Sequence, residues 1–133
     1  MPERIFVDTA YVLALVNERD QHYERAQELA DLVEGMELLI TDAVLLEIGN
    51  ALARGFKEQA IEVITYFVES EEVEIFYSSP QIFEKAFALY KKFSDKDWSL
   101  VDCISFVVMR ERGIKQVLTF DHHFEQAGFK LVG

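Results

Sequence analysis

Short apolar runs alternate along this chain with longer stretches in which apolar residues recur at helical intervals. Ile5-Phe6-Val7 is the first run, rich in strand formers and ended abruptly by Asp8-Thr9. Residues 9–17, mostly apolar, and residues 22–34, with Tyr23, Ala26, Leu29, Ala30 and Val33 on one face, predict a helical pair stopped by Gly35. Residues 37–40 predict the second strand. Thr41 then caps a helix over 42–56, with Val44, Leu45, Ile48 and Leu52 on its apolar face and Glu47, Asn50 and Arg54 on its polar stripe. A further helix over 57–70 follows from Ile61, Ile64, Phe67 and Val68, and residues 73–77 predict a strand. Pro80 suits the first turn of a helix running to Phe93. Beyond Gly113, residues 117–120 form another short apolar run that ends on an aspartate, Asp121, as the first ended on Asp8. Residues 129–132 predict the last strand. Strands separated by helices give an α/β fold with a mainly parallel central sheet flanked by helices, in which right-handed crossovers gather the strand ends on one edge.

The segment from Ser99 to Arg110 breaks the amphipathic rule. Apolar residues at 100, 101, 103, 104 and 106–109 leave no polar face, so this helix is predicted to be central and buried. Its one charge before Arg110 is Asp102. A buried carboxylate is costly unless it is paired or holds a cation. A local explanation is available: Ser99 as N-cap with an acid three residues on resembles a capping box, in which the acid folds back onto the cap amide.

Composition narrows the possibilities. With 133 residues, half of them hydrophobic, the chain is read as one globular domain over residues 1–133. A net charge of -11 excludes nucleic-acid binding by a broad basic surface, so any such ligand needs metal ions or a local basic patch. The single cysteine, Cys103, falls in the apolar helix and suits packing in a reducing compartment. No apolar run approaches the roughly 18 residues of a membrane span, and Asp8 interrupts the only early run that could imitate a signal peptide. A soluble, cytoplasmic protein without a membrane partner is expected.

Candidate chemistry comes from four acids. In open parallel sheets ligands bind outside the carboxyl ends of the strands, where Asp8 and Asp121 are predicted to stand. Asp102 lies in the first turn of one helix and Glu47 less than two turns into another, so all four can converge on one crevice. Each has an ordinary alternative: Asp8 and Asp121 as helix caps, Asp102 in its capping box, Glu47 on a solvated stripe. As a set they repel one another, and a bound cation is what makes such a cluster favourable. Oxygen ligands at this density suit Mg²⁺ or Mn²⁺ over Zn²⁺, and the matching chemistry is phosphodiester hydrolysis by a metal-activated water.

The same residues carry a resemblance. Phe-Val-Asp8-Thr9, Glu47 in an early helix, Ser99-Leu-Val-Asp102 opening a later one and Thr119-Phe-Asp121 near the end resemble the PIN-domain nucleases, and among these the VapC-type toxins of bacterial and archaeal toxin–antitoxin pairs. The similarity covers nearly the whole chain. It implies a ribonuclease whose catalytic and metal-binding residues are Asp8, Glu47, Asp102 and Asp121, with Thr9 and Thr119 as polar support. It also implies an RNA substrate, a cognate antitoxin and Mg²⁺ or Mn²⁺ as cofactor. Two positions depart from the pattern: Ala10, where a serine often follows the first Asp-Thr, and Val101, where a hydroxyl residue often precedes the later aspartate.

Other candidates are set aside. His122 and His123 stand at a predicted helix start, where neighbours point in different directions, and no third histidine or cysteine completes a zinc set, so they are read as surface or capping residues. Trp98 is read as a buried anchor, and Arg4, Arg54, Lys91, Lys92 and Lys96 as solvated positions. A phosphate-accepting signalling domain needs a second acid close to the first, where this chain has Thr9 and Ala10. A catalytically silent module binding a basic partner in the acidic groove is the alternative that the four acids leave open. Apolar excess on the helices predicted over 9–17 and 42–56 points to a homodimer and a protein inhibitor.

Overall fold

The computed structural model describes residues 4–133. Five strands, β1 (Ile5–Val7), β2 (Leu38–Thr41), β3 (Val73–Phe76), β4 (Gln116–Leu118) and β5 (Lys130–Leu131), form one sheet in the order β3-β2-β1-β4-β5. Every pairing is parallel. Helices fill the crossovers: α1 (Thr9–Val16), α2 (Tyr23–Leu32), α3 (Asp42–Ala51), α4 (Lys57–Glu69), α5 (Pro80–Lys92), α6 (Leu100–Arg112) and the short α7 (His123–Gln126). β1 and β2 are buried along their whole length, as parallel strands covered on both faces must be.

Strand order decides where a ligand can go. From β1 the chain adds β2 and β3 on one side and later returns to add β4 and β5 on the other. The crossovers beyond β1 and beyond β4 therefore lead away from each other, and the crevice between them opens at the carboxyl ends of these two strands. Asp8 directly follows β1. β4 ends at Leu118, so Thr119 and Phe120, expected within the strand, lie past it. Backbone pairing does not stop there, since the Asp8 amide donates to the Leu118 carbonyl at 3.1 Å.

The predicted central helix is α6. It buries Asp102, Cys103, Ile104, Ser105, Phe106, Val108 and Met109. Phe106 is wholly buried and meets Trp98 and Phe124 edge-on, each with ring centroids 5.0 Å away. Trp98 is the buried anchor expected of it, and its indole N–H donates to Gln126 Oε1 at 2.9 Å. Cys103 is fully buried, and burial pushes its thiol up to about 11, which suits packing and disfavours thiolate chemistry.

Helix ends here have local causes, one of them a difference from the predicted elements. α3 ends at Ala51, before the expected end at Phe56, because the chain turns at once and reaches Gly55 with φ 84. α6 ends on Gly113 in the left-handed region, φ 67, whose amide reaches back to the Arg110 carbonyl. Gly113→Ala should destabilise the fold by about 1 kcal/mol, because a Cβ opposes this φ even though nothing crowds it, and a melting curve showing no loss would contradict that reading. Among the described residues no helix is long and apolar enough to cross a membrane.

Candidate active site

Asp8, Glu47, Asp102 and Asp121 line one cleft of about 370 Å³, together with Thr9, Asp97, Ser99 and His123. All four predicted acids are thus brought together. How each is held separates a functional arrangement from four unrelated helix caps.

Asp8 stands at the N-cap position of α1, yet its side chain makes no cap bond. It accepts instead from Thr119 Oγ1 at 2.7 Å, across the junction of β1 and β4. The capping alternative for Asp8 therefore fails. Thr119 is in turn an acceptor: the Asp121 amide donates to its hydroxyl at 3.0 Å, so one threonine orients two acids. Asp121 takes the His123 amide at 2.9 Å, a local turn bond that fixes its side chain at the start of α7. Glu47 accepts from the Thr9 hydroxyl, which draws it from the polar stripe of α3 toward the end of β1.

For Asp102 both readings hold at once. The capping box is complete: Asp102 N–H donates to Ser99 Oγ, and Ser99 N–H donates to Asp102 Oδ2, each at 3.0 Å. The same bonds that cap α6 aim the carboxylate into the cleft. Support thus comes from Thr9, Thr119 and Ser99, and the residues Ala10 and Val101 leave no acid without a partner.

Sequence reasoning set aside His123, and the structure corrects this. Its Nδ1 lies 3.2 Å from Asp102 Oδ2 and 3.1 Å from Asp121 Oδ1, and its side chain is mostly covered. His122 is exposed, as expected of a surface residue. Adjacent residues at a helix start do point in different directions, which excludes a pair of ligands and leaves one histidine free to face the acids. Asp97, exposed at the entrance to α6, also lines the cleft.

Burial, with the neighbouring carboxylates adding to it, shows in the protonation of two of the acids. Burial, aided by the charges of Asp102 and Glu47 and opposed by the Thr119 hydrogen bond, pushes Asp8 up to about 7. Burial also raises Asp102, with Asp121 adding to the effect and the Ser99 amide and His123 opposing it. Among the described residues no lysine or arginine lines the cleft. Asp102, Asp121 and His123 each offer a ligand atom within 4.8 Å of the others, a spacing that one metal ion can bridge. Two carboxylates and one imidazole nitrogen, with the carboxylates of Asp8 and Glu47 on the same cleft, are an oxygen-rich set of groups of the kind that suits hard divalent cations such as Mg²⁺ or Mn²⁺.

A parallel sheet in this order, with acids gathered at the ends of β1 and β4, defines a class, and the chain belongs to the PIN domain family, whose model matches residues 5–130. Within it, the chain is similar to the 23S rRNA-specific endonuclease VapC20 of Mycobacterium tuberculosis, 30% identical over 125 residues that cover 94% of this chain and 95% of the relative. It is also similar to the VapC ribonuclease of Aquifex aeolicus, 24% identical over 95% of this chain and 93% of that one. The solved structure of Mycobacterium tuberculosis VapC20, described as a Sarcin-Ricin loop cleaving toxin, superposes with a TM-score of 0.85 at 28% identity, covering 94% of this chain and 95% of that one.

Proposed function

We propose that this chain is a metal-dependent endoribonuclease and the toxin of a type II toxin–antitoxin pair, acting in the cytoplasm on an RNA substrate. The observation that carries this reading is Asp8: a carboxylate that is 4% exposed, unused as a cap and held by Thr119 among three other acids. Names given to similar proteins over nearly the full length, an rRNA endonuclease and a ribonuclease, support the same substrate class.

Asp8, Glu47, Asp102 and Asp121 would hold Mg²⁺ or Mn²⁺, with His123 Nδ1 beside them. A divalent cation there would supply neutralisation of charge at the phosphoryl oxygens and a water acidic enough to attack at neutral pH. The chain's own groups do the remaining work. Thr119 and Thr9 keep Asp8 and Glu47 in place, so that little reorganisation is needed when substrate arrives. Ser99 locks Asp102 to the first turn of α6. The cluster's negative charge repels a phosphodiester unless a cation is present, which makes cleavage strictly cation-dependent.

An antitoxin would meet this chain on apolar surface. A groove of about 340 Å³ lies between α1, α2 and α4, and its walls include Tyr11, Leu15, Met36, Val63 and Tyr66. A homodimer is part of the same reading, with its placement revised. α1 is half-buried against α2 and α3, while Leu46 on α3 and Ile61, Tyr66 and Val68 on α4 are among the exposed apolar residues left for such an interface.

Product ends test the chemistry. Attack by water with no use of the substrate's 2′-hydroxyl leaves a 5′-phosphate and a 3′-hydroxyl. Labelled RNA incubated with Mn²⁺ is expected to give these ends and to survive intact in excess chelator. Cyclic 2′,3′-phosphate ends, or full cleavage in chelator, would sink the mechanism.

A further inference from the structure

On the reading of this chain as a ribonuclease, we propose that the groove beside α5 is a binding track for single-stranded RNA: bases stack on Phe87 and Tyr90 while Lys91 and Lys96 take the phosphates, delivering the strand to the acid cleft. The groove has a volume of about 630 Å³. Three independent observations support this assignment.

The first is an aromatic ladder. Phe83, Phe87 and Tyr90 recur along α5 at helical spacing, their rings nearly parallel, with centroids 6.3 and 6.4 Å apart and interplanar angles of 21° and 22°. α5 buries Ile82 and Ala86 on its other side, so the helix is already anchored and the ladder is surplus to the core. Phe87 and Tyr90 remain 43% and 44% exposed. The ring surface left exposed is aromatic, and unpaired bases stack on such side chains without regard to sequence.

Charge is the second. In a chain of net charge -11, five basic side chains are paired with acids: Arg4 with Glu37 and Glu74, Arg25 with Glu28, Lys85 with Glu111, Lys96 with Asp95 and Arg112 with Glu74. Lys91 is not among them: within the described residues it forms no ion pair, and its Nζ lies 4.8 Å from the centre of the Phe87 ring. Lys96 lies on the same groove, with only a 3.8 Å approach to the exposed Asp95. A local pair of cations interleaved with aromatics is what RNA requires of an otherwise acidic surface.

Continuity is the third. Asp97 and Ser99 line both this groove and the acid cleft, and Ser99 is the residue whose amide and hydroxyl hold Asp102. A strand lying on α5 therefore runs directly to the carboxylates. A second copy of this chain could also cover the ladder, but it would make no use of Lys91 or of the path to Asp102.

Fluorescence anisotropy of a labelled single-stranded RNA in chelator, where nothing is cut, reads binding, and steady-state cleavage with Mn²⁺ reads KM and kcat. Phe87→Ala and Tyr90→Ala should each weaken binding by about tenfold. The double change Lys91→Gln with Lys96→Gln should reduce the slope of log affinity against log salt by about 1.4, the value for two lost single-strand phosphate contacts. In cleavage the loss should fall on KM. Phe87→Leu keeps the apolar bulk and the fold, and should bind as weakly as Phe87→Ala, whereas Tyr77→Ala, an exposed aromatic off the groove, should bind like wild type. Wild-type cleavage with unchanged affinity, salt slope and KM in the variants would overturn the track. So would variants that shift a monomer–dimer equilibrium in light scattering while binding RNA normally, which would assign the ladder to self-association. If wild type cuts no RNA yet binds it through these four side chains, the track stands and the nuclease reading falls.

Discussion

Asp8→Asn should lower RNA cleavage by about a thousandfold while leaving the fold intact. The side chain keeps its shape, and an amide oxygen can still accept from Thr119 Oγ1, which now sits 2.7 Å from Asp8 Oδ2. What disappears is one negative charge at the centre of the cluster, where Asp102 and Glu47 both act on it. Loss of a preorganised charge in a shielded site costs roughly a hundred- to a thousandfold in rate, and loss of cation affinity adds to that. Asp102→Asn should be comparably inactive. Glu47→Gln should cost less, because Glu47 is only partly buried on its helix. Single-turnover cleavage at saturating RNA and Mn²⁺ checks all three, and activity within tenfold of wild type for Asp8→Asn would remove Asp8 from the chemistry.

The legible part of this site was the part written as conflict. Asp102 stands out because it is the one charge in a helix apolar all round, and Asp8 and Asp121 because each ends a short apolar run. Those conflicts map onto the sheet's switch point. Hydrogen bonds between distant positions were beyond the pattern: Thr119 to Asp8 and Thr9 to Glu47 depend on how β1, β4 and α3 meet. His123 was missed for a related reason. Its role rests on a turn at Asp121 that rotates one histidine inward, and period alone does not encode that turn. The fold followed from the alternation of short runs and helical stretches, while helix ends set by glycines such as Gly55, and the short α7, were blurred. The apolar excess holds for α3, where Leu46 is exposed, and not for α1, which is covered by α2 and α3; further exposed apolar residues lie on α4 and α5.

A second large effect separates stability from activity. In chelator, Asp8→Asn should melt several degrees above wild type at pH 8, and this gap should close as the pH falls toward 4. Folding raises Asp8 from 3.8 to about 7, so in that interval the folded chain holds a proton that the unfolded chain has released. The resulting penalty is absent below the unfolded value, grows as the pH rises between the two and is complete above about 7. Its size at neutral to alkaline pH is at most about 4 kcal/mol, which in a domain of this size moves the melting temperature measurably. Asn carries no such proton and no such penalty. Asp102→Asn should gain less, because its charge-assisted cap contact with the Ser99 amide weakens, a loss of up to about 1 kcal/mol. Added Mn²⁺ should invert the order, since a ligand at a hundred times its dissociation constant stabilises by about 2.7 kcal/mol and the variant binds it poorly. Melting curves across pH with chelator and with Mn²⁺ decide it, and a wild type that is more stable than Asp8→Asn in chelator at pH 8 would mean that burial among the other acids does not penalise the Asp8 carboxylate.

The most direct test of the account is to titrate Mn²⁺ into the wild-type protein by calorimetry and to follow RNA cleavage over the same concentrations. Binding at one saturable site, lost together with cleavage in Asp8→Asn and Asp102→Asn, with half-maximal cleavage near the measured dissociation constant, is the predicted result. Cleavage that proceeds in excess chelator, or Mn²⁺ binding that persists unchanged in both variants, would contradict the claim that these carboxylates form the catalytic metal site.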